Sequence, residues 1–299
     1  MRSISGILGP VVTPFDAGSG DVVIDRFATN IRAHLAAGLD GILVAGSTGE
    51  AALLEESERR LLVEAAREAI PAEQVLLVGV GGESTRMTIR RAEDASAAGA
   101  DAVLVVSPHY YTSSMTSDAL RDHFVRVADA SPIPVFLYNI PKYAHFALLP
   151  DLVAELAGHA NIHGMKDSAG DLKMLEGYVR LQSAEFTVLT GHGPSFAQAL
   201  ALGVRGGILA AALFAPELSR EIHESALRGD VEGARRLQDR LAPAAREIVG
   251  DLGVPGVKAA LDVLGLHGGV PRSPLRPLPA SGRARVAELL SNLSGVALG

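Results

Sequence analysis

The chain has 299 residues, 48% of them hydrophobic, and 27 Lys and Arg against 34 Asp and Glu give it a formal charge of -7. It is long and apolar enough to bury a full core, and an acidic balance without a basic block argues against a nucleic-acid partner. With no cysteine there is no disulfide frame, thiolate nucleophile or cysteine metal site, so any covalent chemistry must use another side chain.

The opening MRSISGILGPVVTPF has no long apolar stretch before a small-residue cleavage site, and runs such as ILAAALFA are too short to span a bilayer. The expectation is a cytoplasmic protein with no membrane partner. In chain order, short runs rich in Val, Ile and Leu begin at residue 6 (GILGPVVTP), 41 (GILVAGS), 75 (VLLVGVG), 102 (AVLVVSP), 134 (PVFLYNI), 162 (IHGMKDS), 186 (FTVLTGH) and 206 (GGILAAA). Their near-continuous apolar character predicts strands buried on both faces, as in a parallel sheet. Between the early ones lie amphipathic stretches, DRFATNIRAHLAAG, SERRLLVEAAREAI, RMTIRRAEDASAAG and SDALRDHFVRVADA, several with Ser or Asp near the start and Gly near the end, as crossover helices have.

About eight such units fit a (β/α)8 TIM barrel. A doubly wound open sheet is the alternative, disfavoured because no GxGxxG follows the first strand. After about residue 225, GDVEGARRLQDRLAPAAREIVGD, VPGVKAALDVLG and SGRARVAELLSNLSG read as helices, and GGVPRSPLRPLPASG, too rich in Pro and Gly to be helical, links the last two. The expected division is a barrel carrying the active site over 1–225 and a C-terminal helical domain over 226–299.

In a barrel of this kind the carboxyl ends of the strands build the active site. Here they carry GSTGE, SPHYY, YNIP, KDSAG and TGHG. Period two puts Ile162, Gly164 and Lys166 on one face of strand six and His163 and Met165 on the other. With Gly164 leaving room beneath it, a barrel-facing Lys166 would be poorly solvated, which favours the neutral amine that imine formation needs; a lysine snorkelling to solvent or paired with Asp167 is the plainer alternative. Tyr138 shares a face with Phe136 and could relay protons beside such a lysine, or simply pack. GSTGE offers hydroxyls and glycines at an expected helix start, suited to a carboxylate, or is an ordinary capped turn. Tyr110 and Tyr111 could be aromatic wall, interface anchor or relay. His159 and His163 straddle a helix-to-strand junction and are a poor ligand pair; His109 and His192 lie near the expected mouth.

Together, GSTGE at 46, SPHYY at 107, YNIP at 138 and GMKDSAGD at 164 resemble the dihydrodipicolinate synthase and N-acetylneuraminate lyase superfamily of pyruvate-dependent class I aldolases, over nearly the whole chain. The resemblance implies that Lys166 forms the Schiff base and Tyr138 is the general acid and base. It implies that Ser47 and Thr48 hold the carboxylate of a 2-oxo acid, a hydroxyl of the pair joining a proton relay, and that Gly191 and Ile208 line the pyruvate pocket. Tyr110 matches a tyrosine the family inserts into a neighbouring subunit's site, and a homotetramer is the expected assembly. Pyruvate and an aldehyde are the expected small-molecule partners, and the chemistry calls for no metal, flavin or nicotinamide cofactor.

Dihydrodipicolinate synthases usually carry an arginine five residues after the strand-five tyrosine, where this chain has Tyr143; Lys142 or His145 would have to compensate. Ser168, two residues beyond the lysine, and the stretch DLGVPGVKAALDVLGLHGGVPRSPLRPL resemble instead the branch of 4-hydroxy-2-oxoglutarate and 2-keto-3-deoxy sugar acid aldolases. The favoured expectation is cleavage of a 4-hydroxy-2-oxo acid to pyruvate and an aldehyde. The alternative is a 4-hydroxy-tetrahydrodipicolinate synthase condensing pyruvate with aspartate semialdehyde.

Overall fold

A computed structural model describes residues 4–294. The first three residues of the N-terminal stretch, Gly295 at the end of the last expected helix, and the remainder of the chain to residue 299 lie outside the described residues. Eight strands, β1 Gly6–Pro10, β2 Gly41–Val44, β3 Val75–Gly79, β4 Ala102–Val106, β5 Val135–Asn139, β6 Ile162–Asp167, β7 Thr187–Thr190 and β8 Gly206–Ile208, pair in parallel in sequence order, and β8 closes on β1. This is the (β/α)8 barrel the apolar rhythm predicts.

Alternation along each strand sorts the side chains into two layers. Leu8, Leu43, Leu77, Leu104, Phe136, Tyr138, Leu189 and Ile208 fill the barrel interior. Ile7, Ile42, Val78, Val105, Leu137, Met165 and Val188 face outward under the helices. The helices are α1 Ile24–Ala36, α2 Glu56–Ala69, α3 Thr85–Ala97, α4 Ser117–Ala130, α5 Pro141–Ala144, α6 Pro150–Ala157, α7 Leu172–Val179, α8 Phe196–Leu202 and α9 Pro216–Leu227. Local chemistry fixes their starts. A capping box between Glu55 and Glu58 opens α2, while Ser84 and Thr116 accept the N–H groups of Met87 and Ala119 at the starts of α3 and α4.

Strand β6 departs from simple alternation. Val135 pairs with Ile162 but Phe136 pairs with Gly164, so the intervening His163 is an extra residue in a bulge. Ile162 therefore joins Met165 in the outer layer, not the face of Lys166, and half-buried His163 instead lines a cavity of about 740 Å³ at the amino-terminal end of the barrel, with Ile4, Val75, Ala102, Phe136 and Thr187. Gly164 does not leave an empty space. A Cβ there would lie 2.3 Å from the Thr187 carbonyl oxygen and 2.5 Å from the Phe136 ring, so the glycine lets that ring fill the interior.

Helix α9 runs across the expected boundary at 225/226 and completes the eighth unit before α10 Val231–Ala244, α11 Gly253–Val263 and α12 Ala280–Ser294 follow. Pro243, with no N–H to give, precedes a π-helical turn over Ala245–Asp251. These helices reach back to the barrel. The Gln238 amide donates to the carbonyls of Gly193 and Pro194 beyond β7, and Lys142 donates to the Gly250 carbonyl at 2.6 Å. The Pro-rich connection before α12 crosses to the start of the chain, exchanging hydrogen bonds between Asn30 and the backbone of His267 and bridging Phe15 to Val270.

Candidate active site

Lys166 and Tyr138 are cross-strand partners on β6 and β5, near the carboxyl ends of both strands. Each is 5% exposed, and the Lys166 Nζ lies 4.4 Å from the centroid of the Tyr138 ring. The ion pair with Asp167 does not form, because the neighbouring residue on a strand points to the other face. Asp167 instead accepts a hydrogen bond from Asn139 Nδ2 at 2.6 Å, and Asn139 Oδ1 accepts the Leu148 N–H at 3.0 Å. Burial raises the Asp167 carboxyl to about 6, against the opposing pull of the Asn139 hydrogen bond. Among the described residues Lys166 makes no ion pair, so its amine is not tied to a carboxylate.

Gly191 follows β7 beside this lysine. A Cβ on it would stand 2.0 Å from Ser168 Oγ and 2.6 Å from Lys166 Cε, so the bare glycine, the Ser168 hydroxyl and the lysine stem converge. Ile208 is buried in the interior layer. The expected helix start at GSTGE is a turn: Gly46 accepts the N–H groups of Gly49 and Ala51, Ser47 accepts that of Glu50, and a short 3-10 turn over Ala51–Leu53 precedes α2. Half-buried Ser47 and Thr48 therefore offer hydroxyls and turn backbone, not the end of an α-helix. The turn is pinned from below by Thr13, whose hydroxyl donates to the Gly49 carbonyl at 2.8 Å.

Tyr143 is 42% exposed at the rim, and burial, with Tyr138 as a second cause, raises its phenol above the usual value. Lys142 is engaged with Gly250, so it does not stand free to replace a guanidinium. Tyr110 is 77% exposed and its ring meets that of Tyr111 edge-on at 5.0 Å; Glu83 holds this loop by accepting the N–H groups of His109 and Tyr110. His192 shares a hydrogen bond with Ser195 at 2.7 Å and packs where Gly170 leaves room, and burial, then the charge of Arg246, lowers its pKa. His159 pairs with Asp129 at 3.0 Å on the outside, whereas His163 sits at the barrel floor, so the two share no site.

Three residues that sequence reasoning missed brace the turn. Lys258 forms a buried ion pair with Glu50, Nζ to Oε1, at 2.5 Å. Arg272 grips Glu58 through two hydrogen bonds, its backbone N–H donates to Glu50 Oε2 at 2.8 Å, and both cations lie over the Phe15 ring.

A closed parallel barrel with a buried lysine and tyrosine paired near its carboxyl rim defines a class of lysine-centred barrel enzymes. A family model for the dihydrodipicolinate synthetase family matches residues 3–293, and the chain belongs to that family. Among curated relatives, a 4-hydroxy-tetrahydrodipicolinate synthase from Exiguobacterium is 31% identical, covering 98% of this chain and 99% of the relative. One of the same name from Methanoculleus marisnigri is 34% identical over 96% and 98%. Among solved structures, a dihydrodipicolinate synthase from Acinetobacter baumannii complexed with pyruvate superposes with a TM-score of 0.92 at 28% identity, covering 98% of this chain and 99% of that one. YagE, a prophage protein of the family from E. coli K12 in complex with pyruvate, does so with a TM-score of 0.91 at 30% identity and the same coverage. These curated relatives carry the synthase name, not that of the aldolase branch the sequence favours.

Proposed function

We propose that the chain is a class I carbon–carbon lyase that joins or splits pyruvate and an aldehyde through an imine on Lys166. The observation that supports this most is the buried Lys166 amine over the Tyr138 ring, free of any carboxylate. The Lys166 amine adds to the ketone carbon of the 2-oxo acid, and loss of water leaves an iminium that draws electrons from C3. In condensation, C3 gives a proton to the hydroxyl relay, the enamine attacks the aldehyde carbon, Tyr138 delivers a proton to the aldehyde oxygen as the new bond forms, and water hydrolyses the resulting iminium to free the product and the Lys166 amine. In cleavage Tyr138 takes the proton from a 4-hydroxyl while the bond between C3 and C4 breaks, and the enamine is protonated and hydrolysed to pyruvate. Ser47 and Thr48 hold the carboxylate and pass the proton, while Gly191 and Ile208 shape the pyruvate pocket. No step calls on a cofactor. Tyr110, exposed on one chain, is suited to enter a neighbouring subunit's site, and a cytoplasmic homotetramer is the working form of this reading.

For the aldehyde, the names of the curated relatives support aspartate semialdehyde, and with it 4-hydroxy-tetrahydrodipicolinate synthase, as the first reading. Three observations favour a second, cleavage of a 4-hydroxy-2-oxo acid: Tyr143 stands where a guanidinium would clamp the semialdehyde's carboxylate, Lys142 is engaged with Gly250, and Ser168 lies beside Lys166 within reach of a substrate hydroxyl. Rates with pyruvate plus aspartate semialdehyde, with 4-hydroxy-2-oxoglutarate and with 2-keto-3-deoxy-gluconate test both. Preferential turnover of the semialdehyde supports the first and removes the second; preference for either hydroxy acid does the reverse, and no turnover of any of them defeats both.

A further inference from the structure

The pair Glu50–Lys258 is unusual in what it occupies. The side chains are 0% and 1% exposed, and the two charged groups lie 2.5 Å apart. A buried pair of this kind adds little stability over an apolar pair of the same volume, because desolvation offsets the attraction. Glu50 closes the hydrogen-bonded turn that carries Ser47 and Thr48, its N–H donating to the Ser47 carbonyl at 3.2 Å, and its backbone is held left-handed at φ 58°. Its carboxylate is thus anchored in a dry setting two residues from Thr48. Lys258 comes from α11, beyond the last strand, and is fixed by the Val270 carbonyl at 2.7 Å and by the Phe15 ring, 4.6 Å from Nζ to the centroid. The other cation nearby, Arg272, directs its guanidinium hydrogen bonds to Glu58 and to the Leu53 and Gly20 carbonyls, and reaches Glu50 through a backbone N–H and the field of its charge.

We propose that Lys258 is a positioning residue that neutralises Glu50, so that the Ser47–Thr48 turn accepts a carboxylate in place of repelling it. An anion at the turn would otherwise sit close to a fixed negative charge with little water to screen it. The C-terminal extension thereby sets the charge of the substrate's anion site. This rests on the reading that the turn holds the 2-oxo acid carboxylate.

The test uses the full-length protein and the pyruvate concentration that half-saturates borohydride labelling of Lys166, a readout independent of the aldehyde. Lys258→Met leaves Glu50 with the field of Arg272 but without its contact cation, and raises that concentration by about tenfold or more. Glu50→Gln/Lys258→Met removes both charges and returns it to within about threefold of the parent. Glu50→Gln alone leaves the ammonium and lowers it, whereas loss of a merely structural brace would raise it. Should Lys258→Met fail to fold, the sign of the Glu50→Gln effect and the behaviour of the double variant decide. A rise in Glu50→Gln, or in the double variant as large as in Lys258→Met, overturns the proposal. Absence of label on Lys166 in the parent protein would instead defeat the site reading beneath it.

Discussion

In the proposed reaction two side chains carry the chemistry and a third position makes room for them. Lys166→Ala is expected to lower kcat by about a thousandfold or more while the protein still folds, since it removes the proposed nucleophile. Tyr138→Phe keeps the ring against the lysine and removes only the hydroxyl, and a drop of about a hundredfold or more in kcat is expected; steady-state kinetics with thermal melts of both variants check this. Gly191→Ala pushes a methyl into the space of Ser168 Oγ and Lys166 Cε. It is expected to cost about tenfold or more in kcat while the melting temperature falls little, because the lysine head must move from its productive position. The meeting of Lys166 and Tyr138 at the ends of β6 and β5 was legible because each stands at the end of an apolar run in a recognisable motif. The Glu50–Lys258 pair was not: it joins a loop after β2 to a helix beyond the last strand, and no local spacing announces an ion pair made by tertiary folding.

At the scale of elements, the apolar runs marked all eight strands because both faces of each are buried, and nothing in the pattern competed with that signal. The slip in β6 escaped because a bulge adds one residue without changing the composition of the run. Period two then assigned Ile162 to the wrong layer and His163 to the wrong face. The register is corrected just before Lys166 by Gly164, whose missing side chain lets Phe136 lie across it. Gly164→Ala is expected to destabilise the fold by about 1–3 kcal/mol in urea unfolding, because the backbone oxygen of Thr187 cannot yield as a flexible side chain would; an unchanged midpoint would mean that the bulge is not held by this contact. Likewise GSTGE read as a helix start because Gly, Ser and Thr serve caps and turns alike. The structure puts a hydrogen-bonded turn there, follows it with a 3-10 turn over Ala51–Leu53, and delays α2 until a capping box supplies its start.

Across the whole molecule, buried and half-buried histidines dominate the response to acid near neutrality. Burial lowers His34 and His123 from 6.5 to about 4, and the Nε2 atom of each has no hydrogen-bond partner among the described residues. The unfolded chain thus binds more protons than the native one once pH falls below about 6.5, and stability is lost progressively down to about pH 4. Asp167 acts in the opposite sense: its carboxyl, raised to about 6 from 3.8, binds a proton in the native state first, so stability is regained as pH falls across that window. Burial lowers His192 and His223 in the same sense, so the histidines outweigh Asp167 and leave a net loss of about 1.4 kcal/mol per pH unit or more where these groups titrate. Urea unfolding at pH 7.5 and 4.5 is expected to show the loss, Asp167→Asn to steepen it, and His123→Gln to flatten it. A protein equally stable at both values would contradict the assignment of these groups.

The most direct measurement is reduction with borohydride in the presence of pyruvate, followed by peptide mass mapping. Lys258 makes it discriminating, since it is as deeply buried as Lys166 and burial lowers its own pKa. The account predicts one pyruvate-derived adduct per chain, on Lys166, and none on Lys258, whose nitrogen is engaged by Glu50 and Val270. An adduct on Lys258 or on any other lysine, or a chain left unmodified at saturating pyruvate, would contradict it.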